Sequence, residues 1–243
     1  MTQNHKITIS YDGTDYCGWQ KQKVHRTIQG ELEKALMKII SMETSVIGSG
    51  RTDAGVHAQG QVAHFRANTR LDAKEFVQAL NGTLPNDIRV TSLQRADSKF
   101  HARKSAKSKI YRYRILNSPR ISPFILRYVL HWPSSLDFQA MSEAACLFIR
   151  ESDFTSFSSN RELHPVRQVI RSEITQRGDE IVYTVEANGF LRYMVRSIVG
   201  TLLYVGRKKM LPEDIEDMFM MKKRSLKSPT APAKGLCLIK VKY

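Results

Sequence analysis

The chain has 243 residues, 42% of them hydrophobic and 25% charged, a balance that excludes a disordered or fibrous protein and allows one large domain or two smaller ones. Thirty-eight Lys and Arg against 23 Asp and Glu give a formal charge of +15, which points to a polyanionic partner, either nucleic acid or an anionic membrane. A membrane span is not expected, because Arg192 and Arg196 interrupt the most apolar stretch, and neither a signal-peptide core nor a disulfide or zinc spacing of Cys17, Cys146 and Cys237 is present, so the chain reads as a reduced, cytoplasmic protein.

Ile7, Ile9 and Tyr11 alternate with polar residues and stop at Asp12-Gly13, which predicts a strand running into a turn. Thr27 then caps a helix whose apolar positions Ile28, Leu32, Ala35, Leu36, Ile39 and Ile40 recur at helical spacing. Short strands are predicted at Val46-Ile47 and over 61–66. Asp72 with Glu75 is a capping-box pattern for a helix through Phe76, Ala79 and Leu80 that stops at Asn81-Gly82, and strands follow over 88–93 and 110–116. A comparable series recurs: Asp137 caps a helix carrying Met141, Ala144, Ala145 and Phe148, and strands 166–177 and 180–187 flank the hairpin signal Gly178-Asp179. A long helix is predicted from Phe190 through Leu203 with Gly206 as its C′ residue, then a shorter one from Pro212 through Phe219, and a last strand over 236–243. The class is α+β, in two halves of similar size: 1–108, holding the Gly-rich loop, and 109–243. Element order and length carry this division, since sequence identity between the halves is too weak to demonstrate a duplication.

The positive charge is segregated. From Ser98 to Leu136 there is no Asp or Glu, while nine Lys and Arg fall there, interleaved with Phe100, Tyr111, Tyr113, Phe124 and Tyr128. Cations that meet phosphates beside rings that stack on bases are the pattern of RNA binding. A second acid-free stretch, from Ala187 to Pro212, carries Arg192, Arg196, Arg207, Lys208 and Lys209.

One segment points to chemistry. Gly48-Ser49-Gly50-Arg51-Thr52-Asp53-Ala54-Gly55-Val56-His57-Ala58 lies between two predicted strands, and its three glycines permit close approach to a ligand. It is neither a phosphate-binding Walker loop nor a dinucleotide fingerprint. Asp53 is the lone carboxylate between Glu43 and Asp72, and neighbouring cations are expected to hold it ionised, as suits a nucleophile or base. The alternative is a turn in which Asp53 bonds the backbone. His57 and His64 have no third ligand at a recognisable spacing and read as structural.

RTDAGVHA, residues 51–58, resembles the signature of the TruA-type tRNA pseudouridine synthases. Further blocks occur in that family's order: YDGTDYCGWQ at 11–20, FHARKSA at 100–106, KIYRYRI at 109–115, DFTSF at 153–157, NGFLRYMVRSIVG at 188–200 and APAKGLCL at 231–238. The resemblance spans essentially the whole chain, with one departure: Tyr193 stands where many members carry histidine. It implies the pseudouridine synthase fold, two α+β halves with antiparallel sheets joined across a central basic cleft, and isomerisation of uridine to pseudouridine at tRNA positions 38, 39 and 40 of the anticodon stem-loop. It further implies a homodimer that uses neither metal nor cofactor and involves no membrane.

Residue by residue, the resemblance makes Asp53 the essential aspartate, Tyr111 the ring stacked on the target uracil and Arg196 the partner of the aspartate. It likewise makes Arg51 an aid to extruding the nucleotide, and Leu236 and Leu238 the apolar floor beneath the base. Each has a plainer counterpart: Tyr111, Leu236 and Leu238 as core residues, and Arg196 as a charge on an apolar helix that needs some partner. Three rival functions are a catalytically silent RNA-binding protein, a pseudouridine synthase paralogue acting on another RNA, and a metal-dependent phosphoesterase suggested only by the Gly-rich loop and its histidines.

Overall fold

The computed structural model describes residues 2–160, 163–224 and 229–243. In chain order these form β1 (Gln3–Tyr11), α1 (Ile28–Ile40), β2 (Ile47–Gly48), β3 (His57–Ala67), α2 (Ala73–Thr83), β4 (Ile88–Ala96), β5 (Ser108–Leu116), β6 (Leu130–His131), α3 (Phe138–Cys146), β7 (Glu151–Asp153), β8 (Val166–Arg177), β9 (Glu180–Ala187), α4 (Met194–Gly206), α5 (Asp214–Met221) and β10 (Leu236–Lys242). Helices and strands mix as the α+β reading expects. By packing, the chain divides into two compact units, Met1–Lys107 with Cys237–Tyr243, and Ser108–Leu236.

In the first unit β1 lies between β3 and β4, antiparallel to both, with Ile7 opposite Ala63 on one side and Leu93 on the other. Period-2 alternation puts His5, Ile7, Ile9 and Tyr11 on its buried face. β2 is antiparallel to β3, and β10 runs parallel to β3 with Leu238 opposite Ala58. That parallel pairing departs from the antiparallel expectation; it joins strands remote in sequence, as parallel neighbours require. α1 buries Ile28, Leu32, Ala35 and Leu36, and Phe76 of α2 packs edge-on to His5 and Phe65.

Caps read from the sequence are made. The Thr27 hydroxyl accepts from Gly30 N at 3.3 Å, and Asp72 and Glu75 exchange the two bonds of a capping box at 2.8 and 2.9 Å. α2, however, runs through Asn81-Gly82. The Asn81 amide, which looked like a stop signal, bonds both the N–H and the carbonyl of Val90 and so fastens α2 to β4.

In the second unit β9 lies between β5 and β8, antiparallel to both, with Tyr183 opposite Tyr113 and Ile174. The short β6 pairs in parallel with β5, and β7 is antiparallel to β8. Both lack a full strand's length of alternation, which is why periodicity missed them. Phe148, Phe154, Phe157 and Phe219 form an aromatic cluster with ring centroids 5.1 to 6.0 Å apart.

α4 begins at Met194 and not at Phe190, because Tyr193 takes a left-handed φ of 64° that no helix accommodates. Gly206 is the last residue of α4, and the left-handed residue beyond it is Lys208, φ 57°. Packing, not a cap, explains Gly206: a Cβ there would lie 2.5 Å from Met141 Sδ of α3.

Replacing Asp72 by Ala removes the box at the start of α2. We expect a loss of about 1 kcal/mol in urea unfolding; an unchanged midpoint would show that Asp72 does not hold the helix start.

Candidate active site

Asp53 lies in the first unit, on the loop that joins β2 to β3. Ser49 N donates to Val62 O at 2.7 Å where the loop leaves the sheet. Ser49 and Gln61 are fully buried. Ser49 Oγ donates to Gln61 Oε1 at 2.7 Å, and Gln61 Nε2 donates to Gly50 O at 3.0 Å. The Tyr11 hydroxyl and Thr52 Oγ1 are hydrogen-bonded at 2.8 Å. Burial pushes the Tyr11 phenol well above its ordinary pKa, so it stays protonated and neutral in this network. A buried network with its members paired is stiff, since each bond broken would leave a polar group unsatisfied at a cost of about 1–3 kcal/mol.

The peptide groups beside Asp53 are fixed from the segment after β1. Trp19 N donates to Thr52 O at 3.0 Å, Gly55 N to Tyr16 O at 3.3 Å, and Val56 N closes a turn on Asp53 O at 3.1 Å. The two backbones meet closely enough to require glycine. A Cβ on Gly13 would fall 2.0 Å from Val56 O, and one on Gly18, whose φ is +85°, would fall 2.6 Å from Thr52 O. Asp53 is partly exposed and Arg51 exposed, whereas Thr52 and Val56 are buried. The alternation turns the polar side chains out of the loop and anchors it through its neighbours.

His57, at the start of β3, is buried, and its Nδ1 accepts from Gly13 N at 3.1 Å while lying 3.1 Å from Asp12 Oδ1. A nitrogen that accepts from Gly13 cannot also donate to Asp12, so we read this contact as a loop clamp rather than an ion pair. His64 Nδ1 accepts from Ala102 N at 3.1 Å, with its pKa lowered by burial and then by His101. Both histidines thus hold backbone. Among the described residues no group of three or more His, Cys, Asp or Glu is placed to hold a metal ion.

Tyr111 and Arg196 belong to the second unit. Tyr111, on β5, is 7% exposed, and its ring meets Phe190 edge-on at 5.0 Å. Arg196, in the first turn of α4, donates from Nε to Ala231 O at 2.8 Å, and Ala231 N donates back to Arg196 O at 2.9 Å. A bond through Nε fixes the plane of the guanidinium fork. The Arg196 and Arg192 guanidiniums lie 4.6 and 5.3 Å from the Tyr193 ring centroid. Left-handed backbone at a tyrosine costs on the order of 1 kcal/mol, so the turn that presents these cations is held under strain.

Leu236 and Leu238 are 4% and 0% exposed. Of the interleaved aromatics, Tyr113 is a core residue whose hydroxyl donates to Pro232 O at 2.8 Å, and Phe100 packs on Tyr243 at 5.1 Å. Phe124 is 88% exposed. Gln61, Ser49 and Tyr16, which support the loop, carry no sign of that role in the sequence. Tyr16 stands inside the YDGTDYCGWQ block, but nothing local distinguishes a polar residue that supports another loop from one that faces water.

A sequence profile of the family described as tRNA pseudouridine synthase matches residues 7–103 and 144–243. The tRNA pseudouridine synthase A of Thermodesulfovibrio yellowstonii is 41% identical, over 99% of each chain. That of Geobacillus kaustophilus is 44% identical over 100% of this chain and 95% of the relative, and that of a Thermoanaerobacter species 42% over 99% and 100%. The clamped Asp53 loop lies in the first matched stretch, and Arg196 with the closing strand lies in the second; the chain belongs to the tRNA pseudouridine synthase family.

Proposed function

We propose that this protein isomerises uridine to pseudouridine in tRNA, at positions 38, 39 and 40 of the anticodon stem-loop, working as a homodimer in the cytoplasm. The observation that carries the reading is Asp53, a carboxylate on a loop whose flanking peptides are hydrogen-bonded on both sides, in a chain matched over nearly its full length by synthases of this family. The reaction breaks the N1–C1′ bond, turns the uracil and joins C5 to C1′; the proton lost from C5 is balanced by one gained at N1, so no oxidant or reductant is consumed. A carboxylate can serve by attack on the sugar, by attack on the base or by taking the C5 proton, and each route needs its charge.

In this reading Asp53 is the catalytic residue, and Arg196, whose guanidinium plane is set by Ala231, pairs with it. Tyr111, backed by Phe190, stacks on the target uracil, with Leu236 and Leu238 as the apolar floor. Arg51, exposed two residues before Asp53, assists extrusion of the nucleotide, which costs a few kcal/mol of unstacking that stacking and phosphate contacts offset. The acid-free segments supply cations for the tRNA backbone. No helix among the described residues is long and apolar enough to cross a membrane.

Three measurements test this. Asp53→Asn keeps the side chain's size and removes its charge, and we expect pseudouridine formation to vanish while tRNA affinity stays within about twofold, since phosphate contacts dominate affinity; turnover by this variant would overturn the assignment. Binding of tRNA should weaken steeply with salt, by about 0.9 in the log-log slope per duplex phosphate neutralised and about 0.7 per single-stranded one. A slope near zero would assign the positive charge to something other than RNA. Arg196→Met should lower kcat far more than it raises KM for tRNA, and Arg196→Lys, which keeps the charge without the fork, should fall between Met and wild type; a loss of thermal stability with unchanged kcat would make the arginine structural.

A further inference from the structure

Residues 12–27, between β1 and α1, form neither helix nor strand, yet Tyr16 O and, just beyond, Trp19 N hold the peptides beside Asp53. Besides the Gly13–His57 bond and the bonds that Gly18 O and Trp19 O accept from the start of α1, this segment is held by Asp87, in the turn that leads into β4. Its backbone carbonyl accepts from Asp12 N at 3.0 Å. Its Oδ1 accepts the Tyr16 hydroxyl at 2.5 Å, and its Oδ2 lies 3.4 Å from Arg26 Nη1. Arg26 closes the arrangement, with its guanidinium 4.4 Å over the Tyr16 ring and its carbonyl accepting from Cys17 N at 2.9 Å.

The two side-chain contacts of Asp87 are unequal. The Arg26 and Asp87 side chains are 42% and 29% exposed at a separation of 3.4 Å, so water screens that pair. Tyr16 is 3% exposed, and a phenol that donates to a carboxylate makes a short, charge-assisted bond. Burial first, and Asp87 second, push the Tyr16 pKa upward, which keeps the hydroxyl a donor across the physiological range. Tyr16 carries this restraint into the backbone: its N–H bonds Gly13 O at 3.1 Å, and its carbonyl accepts from Gly55, two residues after Asp53.

We propose that Asp87 is a positioning residue for pseudouridine formation: through its bond to the Tyr16 hydroxyl it sets the Tyr16 carbonyl, and thereby the loop that carries Asp53. The inference rests on Asp53 being the reacting carboxylate. Asp87 acts through Tyr16 and not on the RNA, so its loss changes the alignment of the reacting group without changing tRNA binding. Misplacement of a reacting group by a fraction of an ångström is enough to slow a reaction on the order of tenfold.

The test is steady-state kinetics on a tRNA transcript with the full-length protein and its variants Tyr16→Phe, Asp87→Ala, Asp87→Asn and the Tyr16→Phe/Asp87→Ala double, each checked for folding by thermal unfolding at the assay temperature. Tyr16→Phe and Asp87→Ala should each lower kcat about tenfold with KM within about twofold, and the double should be no slower than the worse single, since both remove one bond. Asp87→Asn, which keeps an acceptor oxygen, should recover most of kcat. Wild-type kcat in Tyr16→Phe overturns the inference, as do multiplied losses in the double or an Asp87→Asn as slow as Tyr16→Phe. If Asp87→Ala fails to fold, Tyr16→Phe and Asp87→Asn decide alone. Turnover by Asp53→Asn would instead remove the underlying reading of the site, whereas an inactive Asp53→Asn beside a fully active Tyr16→Phe removes only this inference.

Discussion

Two backbone hydrogen bonds, Trp19 N to Thr52 O and Gly55 N to Tyr16 O, tie together two stretches of chain that have no secondary structure of their own. The orientation of Asp53 depends on them. A loop without a helix or strand would ordinarily sample many conformations, and fixing each residue costs about 1–2 kcal/mol of conformational entropy. Here the surrounding fold offsets that cost: the Ser49–Gln61–Tyr11–Thr52 network grips the loop from the sheet side, and the Gly13 and Gly18 contacts grip it from the other. Bonds to the backbone thus fix the peptides that flank the carboxylate.

The second unit solves a similar problem with a helix. α4 buries nearly all its length, so its first turn is a rigid platform, and Tyr193 in left-handed backbone starts that turn abruptly. Arg196 projects from the platform with its Nε held by Ala231. An arginine on an apolar helix is costly when unpaired, and this one is both hydrogen-bonded and stacked on Tyr193. The nearby Arg224 guanidinium donates to Ser197 Oγ and Thr230 Oγ1, and its pKa is lowered by burial and then by Arg196. Cations gathered against their mutual repulsion mark a place suited to an anionic partner.

Charge and packing divide the remaining labour. The aromatics interleaved with cations after Ser98 serve different ends: Tyr113 closes the core of the second unit, Phe100 packs with Tyr243 in the first, and Phe124 faces water. Composition along the segment is uniform, but burial is decided strand by strand.

Most helices and strands were legible because their signals are local: alternation in β1, helical spacing with a Thr cap in α1, the Asp72–Glu75 box, and the hairpin of β8 and β9. Asp53 was legible because an isolated carboxylate in a Gly-rich basic loop is itself a local pattern. Other features depended on residues far apart in sequence. Asn81 turned from a stop signal into a staple because Val90 lay within reach, Gly206 lies against Met141, α4 lost its first turn to Tyr193, and the two-residue β6 exists only because β5 completes its bonds. Periodicity and capping act within a few residues, so the sequence by itself determined most of the helices and long strands and singled out Asp53 as the candidate for chemistry. Close approach, burial and hydrogen bonds between distant residues are properties of the assembled chain, and so tertiary structure alone decided that Gln61, Tyr16 and Asp87 hold the loop that carries Asp53.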